Sequence, residues 1–380
     1  MFHRRRVHWY HKLLTATFLV MILLPGVDMI VGIDKTPVAG TVATFPEFRG
    51  GLRGVASLPG QFKYWFGENF GFRQWFIQFH GKLKKDVLGT SPSTKVMLGK
   101  DDWLYYRDEM VFEDYRNLYP FDKPGLQQWL DLLAARQSFC AERGITYVFT
   151  ISPNKPTMYP EFLPEGWEPL DRPNRLNQLQ AAVDSRLPEV AMVDVRPALN
   201  NHKSSHGPLY FKSDTHWNEM GAYVGYVEIM TELKKHYPEL TIVPIDELEI
   251  DEQTSNGGDL ARMMGLKFST EELMRTPQFP ESRPVVREKD GSTLTVVVKD
   301  VLKGEEGLVT RCEAGEIESA VIIHDSFGQA LIPLLARHFK RATFVWSNSF
   351  DKSLVEKEQP KVVIQQLVER RLLNWKPTPE

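Results

Sequence analysis

The pattern of apolar and polar positions divides this chain into segments of different character. Leu13 to Val27 is almost free of charge and could extend to Ile33 if Asp28 reaches the far interface, while Arg4, Arg5, Arg6 and Lys12 precede it. Residues 34 to 58, with their Pro, Gly and Thr, read as a linker. From Phe62 to Leu88 the chain reads as an aromatic-rich helical stretch (Tyr64, Trp65, Phe66, Phe70, Phe72, Trp75, Phe76 and Phe79), whose rings are read as core. Val96 to Tyr106 reads as a hairpin around Gly99-Lys100-Asp101. Helices are predicted over Gly125–Arg143, Asn174–Arg186, Asn218–His236 and Gln329–Phe339. Strands are predicted over Thr146–Ile151, Val190–Val195, Ser319–Ile323, Ala342–Trp346 and Lys361–Ile364. Leu294–Lys299 and Leu308–Cys312 read as an antiparallel pair beside the main sheet. The apolar, β-branched strands alternate with helices, as expected of a mostly parallel three-layer α/β sheet, with chemistry at the carboxyl ends of its strands.

Composition narrows the class of function. With 380 residues, 42% hydrophobic and 25% charged, the chain can bury a substantial core. A net charge of -3 supplies no basic field for gripping nucleic acid, no zinc-type cluster of Cys and His is found, and neither a metal nor a cofactor is expected. Basic residues before the apolar run place the chain beyond it outside the cytoplasm, whether residues 1–33 are an uncleaved anchor, the preferred reading, or a cleaved signal peptide. The two cysteines, Cys140 and Cys312, are read as unbridged.

Two short motifs carry the candidate chemistry. In Lys212-Ser213-Asp214-Thr215-His216-Trp217-Asn218 an Asp stands two residues before a His, so its carboxylate can hold one imidazole nitrogen while the other faces substrate. The competing reading makes Asp214 a cap for the next helix. About a hundred residues later the apolar run Ala320–Ile323 ends in His324-Asp325-Ser326-Phe327-Gly328, where a nucleophile would sit; the competing reading is again a helix cap. Acyl transfer needs both motifs: a Ser to attack, a base to take its proton, and an acid to fix the base. His216 is preferred over His324 as base because only His216 has a local acid on the right side. Two oxyanion donors are candidates, the backbone N–H of Ser326 and, after the strand at 146–151, Asn154, which reads equally as a turn-forming residue between two prolines. Ser347 and Asn348 follow the strand at 342–346, where loop chemistry accounts for both.

The motifs "SDTHWN" and "HDSFG", in that order, resemble the SGNH-hydrolase-like domain of the AlgJ/AlgX family of polysaccharide O-acetyltransferases. So do "VMLGKDDWLYY" (96–106), "ISPNKPTMYPEFLP" (151–164) and "GGDLARMMG" (257–265), and the resemblance spans about residues 60 to 375. It implies a circularly permuted three-layer fold with a small antiparallel insertion, running from 59 to 380. It also implies a Ser326–His216–Asp214 triad, a further oxyanion position at Ser347 and Asn348, an acetyl-serine intermediate, a polysaccharide acceptor, and acetyl supplied by a membrane-bound O-acyltransferase at the periplasmic side of an inner membrane. Ordinary SGNH enzymes carry Gly where this chain has His324. Trp217 and Trp103 could stack on sugar rings or simply pack, and Arg370 could meet an anionic sugar or pair at the surface with Glu369. An acetylesterase with the same triad and a non-catalytic, membrane-tethered polysaccharide-binding scaffold are the alternatives.

Overall fold

In the computed structural model the described residues are 9–36, 43–48, 50–205, 207–279, 283–288, 291–293 and 307–376. They fall into two compact units, Met1–Ser93 with Ala261–Thr270, and Thr94–Leu260 with Glu271–Glu380.

The first unit opens with helix Trp9–Val31, whose 23 residues and mean hydropathy of 2.1 give it the length and composition of a membrane span. Within it, Asp28 stands one turn from the far end. It is buried, and its carboxylate accepts the backbone N–H groups of Asp34 (2.6 Å) and Phe72 (2.9 Å). The expected linker is helical from Gly51, and the expected single aromatic helix is broken. Gly51–Asn69 ends at a turn where Phe72 is left-handed (φ 58°), and Arg73–Lys82 comes next, closing in a wider turn over Leu83–Val87. Nor are the aromatics core: Phe62, Tyr64, Phe66, Phe70, Trp75, Phe76 and Phe79 are all exposed, because no layer among the described residues stacks on their face.

The second unit begins with an antiparallel hairpin, β1 (Val96–Leu98) and β2 (Leu104–Tyr106), as the sequence predicts. Its turn places both Asp101 and Asp102 at positive φ, a conformation that aspartate tolerates better than most residues. Helix Lys123–Ala141 is next, with Asp122 accepting the Gly125 N–H as its N-cap, and leads into β3 (Thr146–Ser152). Helix Arg175–Arg186, capped by Asn174, precedes β4 (Ala191–Asp194). After helix Glu219–Lys234 comes a separate antiparallel ladder of β5 (Glu249–Asn256) and β6 (Glu271–Gln278). The chain then runs through β7 (Val286–Arg287), β8 (Leu308–Arg311), β9 (Ile317–His324), β10 (Phe339–Trp346) and β11 (Val362–Val368).

Among the described residues, seven strands form the main sheet in the order β4-β3-β11-β9-β10-β8-β7. The five from β4 to β10 are parallel, and β8 and β7 continue the edge antiparallel. Leu308–Arg311 therefore belongs to the main sheet, paired with β10, rather than to an excursion beside it. Its expected partner, 294–299, lies outside the described residues. The helix expected over 329–339 is instead a chain of short turns, Ser326–Leu331, Ile332–Leu335 and Ala336–His338.

Alternate residues of the central strands feed two core layers. Tyr147, Phe149, Val321, Ile323, Val363 and Leu367 pack with helices 123–141 and 175–186 on one face. Val148, Ala320, Ile322, Val362, Ile364 and Val368 pack with helix 219–234 on the other. Strands covered on both faces read as continuous apolar runs, which is why the sequence revealed them, and each fully buried Val, Ile or Leu contributes roughly 1.5–3 kcal/mol. Cys140 and Cys312 are buried, unbridged, and in different core layers.

Candidate active site

The carboxyl edge of the parallel strands gathers the chemistry. Asn154 follows β3, Ser326 follows β9, Ser347 follows β10, and Glu369 and Arg370 follow β11.

The His motif is held by a tight loop. Tyr210 and Trp217 face each other in a bridge, and the Asn218 N–H reaches Leu209 O at 2.9 Å, so residues 211–216 bulge out between them. Asn218, not Asp214, caps the following helix by accepting the Gly221 N–H at 2.9 Å. Asp214 is thereby left to the imidazole. Its Oδ1 accepts the His216 Nδ1 proton at 2.7 Å and the His216 backbone N–H at 3.1 Å, and its Oδ2 accepts the Asp259 backbone N–H at 2.8 Å. His216 Nε2 lies 2.8 Å from Ser326 Oγ. The three side chains, 112 positions apart from first to last, thus form one continuous hydrogen-bonded chain.

The capping reading of the second motif is also partly realised. Asp325 accepts the Phe327 N–H at 2.9 Å with Oδ1 and the Val368 N–H at 2.5 Å with Oδ2. Gln366, on the central strand β11, donates to Asp325 Oδ1 at 3.1 Å and accepts the Asp325 N–H at 3.2 Å. Asp325 is consumed by the turn, and Ser326 is left free to face His216. His324 is buried, with Nδ1 2.7 Å from Asp325 O, and takes no part in the chain.

The electrostatics fit a proton relay. Burial acts to lower the pKa of His216, but the hydrogen bond to Asp214 and that residue's charge outweigh it, and the net shift is upward. Burial acts to raise Asp214, but the same imidazole and the N–H groups of Asp259 and His216 hold it well below the usual carboxylate range. Asp259 moves the other way, raised by its own burial and by the charge of Asp214.

Sequence reasoning missed several supports. Asp259 lies inside the quoted GGDLARMMG segment, and its Oδ1 accepts the Thr215 N–H at 2.8 Å. Ligand atoms of Asp214, His216 and Asp259 lie within 4.8 Å of one another, with those of Asp214 and His216 engaged in the hydrogen-bonded chain and Oδ1 of Asp259 accepting from Thr215. Glu272 of β6 binds the N–H groups of Lys212 (3.0 Å) and Ser213 (2.7 Å). Buried Lys155 donates to the carbonyls of Leu104 (2.6 Å) and Lys212 (3.0 Å), and burial pushes its ammonium down to about 8. These contacts join residues distant in the chain, so no local pattern announces them.

The remaining candidates separate. Asn154 is buried at the site's flank, its N–H donating to Glu369 (2.8 Å) and its amide to Asp114 (3.3 Å), while Arg370 Nη1 approaches its Oδ1 at 3.4 Å. Arg370 is neither at the surface nor paired with Glu369. It is buried and bonds Glu109 at 2.7 Å. Ser347 extends the ladder by donating its N–H to His324 O at 3.0 Å, and its hydroxyl closes a local turn with Ser349; Asn348 O accepts from Gln365 at 3.3 Å. Loop chemistry accounts for both. Trp217, for which the sequence offers both sugar stacking and packing, is 2% exposed, and its indole N–H donates to Phe327 O at 3.0 Å. It packs beneath the Ser326 turn rather than offering a face to a sugar. Trp103 is likewise buried, stacked on Tyr159 and Phe162.

A three-layer sheet with a Ser–His–Asp chain at its carboxyl edge is the arrangement of SGNH-type acyl-handling domains. Residues 96–298, more than half of the chain, match the family described as "SGNH hydrolase-like domain, acetyltransferase AlgX", and the chain belongs to that family. No curated protein sequence matches it. Among solved structures it is similar to Bacillus cereus PatB1 with a sulfonyl adduct, at 15% identity and a TM-score of 0.51 over 73% of this chain and 95% of that one. The O-acetyltransferase domain of Pseudomonas putida AlgJ is 19% identical at a TM-score of 0.45, over 74% and 93% of the two chains. Pseudomonas aeruginosa AlgX is 17% identical at a TM-score of 0.45, over 74% and 66%.

Proposed function

We propose that this protein O-acetylates an exported polysaccharide through an acetyl-serine intermediate on Ser326. The observation that carries the reading is the unbroken Asp214–His216–Ser326 hydrogen-bonded chain within a domain of the acetyltransferase family. Ser326 Oγ attacks the donor's acetyl carbonyl as His216 Nε2 takes its proton, and Asp214 stabilises the imidazolium. The tetrahedral oxyanion collapses, the bond to the donor's leaving group breaks, and His216 returns the proton to that group. A sugar hydroxyl then repeats the sequence on the acetyl-serine: His216 takes its proton, the new ester forms, and the proton goes back to Ser326. Developing negative charge is met by the Ser326 backbone N–H, with Asn154 as a second donor. The acceptor class follows from membership of the family and the motifs that resemble its polysaccharide-modifying members.

Helix Trp9–Val31 serves as an uncleaved anchor, with the catalytic unit in the periplasm and a membrane-bound O-acyltransferase supplying acetyl groups. A tether on the donor's own membrane raises the effective concentration of the two partners. The test uses the full chain in detergent with a chromogenic acetyl ester. The native protein should release the chromophore, carry one acetyl adduct by intact mass, and pass it to an added oligosaccharide, while Ser326→Ala gives none of these. Adduct formation with discharge to water alone, in the presence of competent acceptors, would make the protein an esterase. A folded native protein that forms no adduct would refute the enzyme reading.

A further inference from the structure

The aromatic residues of the first unit are arranged on faces that the described protein leaves bare. On helix Gly51–Asn69 the exposed residues Leu52, Val55, Pro59, Phe62 and Phe66 recur every three or four positions and form one stripe. Arg53, Gln61 and Glu68 lie on the other side. On the following helix Ile77 and Gly81 turn toward the segment 261–270: a Cβ on Gly265 would lie 2.3 Å from the Ile77 side chain, and one on Gly81 would lie 2.8 Å from Met264 O. Trp75, Phe76, Phe79, Leu83 and Val87 occupy the opposite face and are all exposed. Both helices are thus amphipathic with their apolar sides open, the reverse of a core-packing helix.

Two observations say what covers these faces. The turn between the helices is fastened to the end of the apolar helix: Phe72 N–H donates to Asp28 at 2.9 Å, and a Cβ on Gly71 would overlap the Pro25 carbonyl. That end is the one away from the arginines, so it lies at the outer water boundary of any bilayer that the apolar helix crosses. The charge of the segment fits the same place. Residues 51–88 carry six Lys and Arg (Arg53, Lys63, Arg73, Lys82, Lys84, Lys85) against two acids (Glu68, Asp86). Phe, Trp, Leu and Val fill the bare faces, Lys63 borders the stripe of the first helix and Tyr64 stands with Arg53 across from it, a composition that fits helices lying in the interface of an anionic membrane.

We infer that residues 51–88 form a second membrane contact, two helices lying in the plane of the outer leaflet with their aromatic faces sunk among the acyl chains. The inference rests on the reading of Trp9–Val31 as a span for its level, and on the bare aromatic faces for its substance. Its consequence is mechanical: a single span lets a domain swivel freely, whereas a span joined to in-plane helices fixes the orientation of the unit they belong to.

The test places spin labels on the full chain, reconstituted in vesicles of phosphatidylcholine with phosphatidylglycerol. Labels go on Phe62→Cys, Phe66→Cys, Trp75→Cys and Phe79→Cys, with Arg53→Cys and Gln78→Cys as polar-side controls and Leu19→Cys as the reporter of the span. Cys140 and Cys312 are buried, so the unsubstituted chain should take up no label. The four aromatic-face labels should be reached by dissolved oxygen in preference to a water-soluble nickel chelate, at a depth of about 5–10 Å below the phosphates, while the two controls favour the chelate. The Leu19 label should report the bilayer centre. Leu19 at the centre with the aromatic-face labels in water overturns the inference and leaves the anchor standing. Leu19 in water with the aromatic labels at the headgroup boundary upholds the inference and removes the span. Aromatic labels shielded from both reagents, and broadened by a neighbouring spin, assign the faces to a second copy and overturn it. As a check free of substitutions, a phospholipid with a photoreactive group near its headgroup should crosslink the native chain within residues 51–88, and crosslinking confined to residues 9–31 would overturn it.

Discussion

Replacing Asp214 by Asn tests the relay at its most constrained point. All three of its contacts are donors pointing at a carboxylate: His216 Nδ1 and the His216 N–H at Oδ1, and the Asp259 N–H at Oδ2. An amide has only one acceptor oxygen, so its NH2 must face a donor in either orientation. If the NH2 faces Asp259, one buried N–H is left unpaired, which costs about 1–3 kcal/mol, and His216 keeps its tautomer but loses its counter-charge. If the NH2 faces His216, Nδ1 must become the acceptor, the proton moves to Nε2, and the imidazole cannot accept from Ser326. In the first orientation the lost attraction between carboxylate and imidazolium is about 4 kcal/mol for charges about 4 Å apart at an effective dielectric of 20, or roughly a thousandfold in rate. In the second the base is disabled. The acylation rate of Asp214→Asn, measured by chromophore release from an acetyl ester, should therefore fall by about 10^3 to 10^4 with the fold intact. The pH profile carries an independent sign. His216 works as the free base, so activity rises as it loses its proton; its raised pKa puts that rise above the ordinary imidazole value in the native protein. Without Asp214 the rise should move to lower pH. A loss smaller than tenfold, or a profile that does not move down, would refute the assignment of Asp214.

Other substitutions probe the supports. A Cβ at Gly258 would overlap the Asp214 side chain, so Gly258→Ala should reduce acylation as severely as loss of Asp214 while leaving substrate affinity unchanged; equal activity would show that the loop yields. Asp259→Asn keeps an oxygen for the Thr215 N–H and removes a like charge beside Asp214, so its rate should stay within about tenfold of native, whereas Asp259→Ala, which leaves that N–H unpaired, should lose more. Trp217→Phe removes the buried bond to Phe327 O and should lower unfolding stability by about 1–3 kcal/mol, measured by urea denaturation, with a fall in turnover because that bond fixes the residue next to Ser326. Unchanged stability would place the indole outside the framework of the site.

The chain announced whatever is encoded locally. Strands buried on both faces appear as unbroken runs such as Ala320–Ile323, helix starts appear as Asn174 and Asn218, and a membrane-length helix appears as an uncharged N-terminal run, whereas the start at Asp122 lies ahead of the expected Gly125. Ser326, His216 and Asp214 could be singled out as candidates because acyl transfer calls for those three residue types, and the structure brings their side chains into one hydrogen-bonded chain. Only the tertiary structure decided which polar residues of each motif build turns and which are left to the hydrogen-bonded chain: Asn218 takes the cap and frees Asp214, and Asp325 takes the turn and frees Ser326. Likewise it alone showed that Trp217 is buried under the Ser326 turn, that Arg370 pairs with Glu109, and that most aromatics of residues 62–79 face outward. Periodicity tells which side of a helix is apolar, but whether that side meets a core or remains open depends on what the rest of the chain brings against it. That is set by contacts between distant residues, which no local pattern carries.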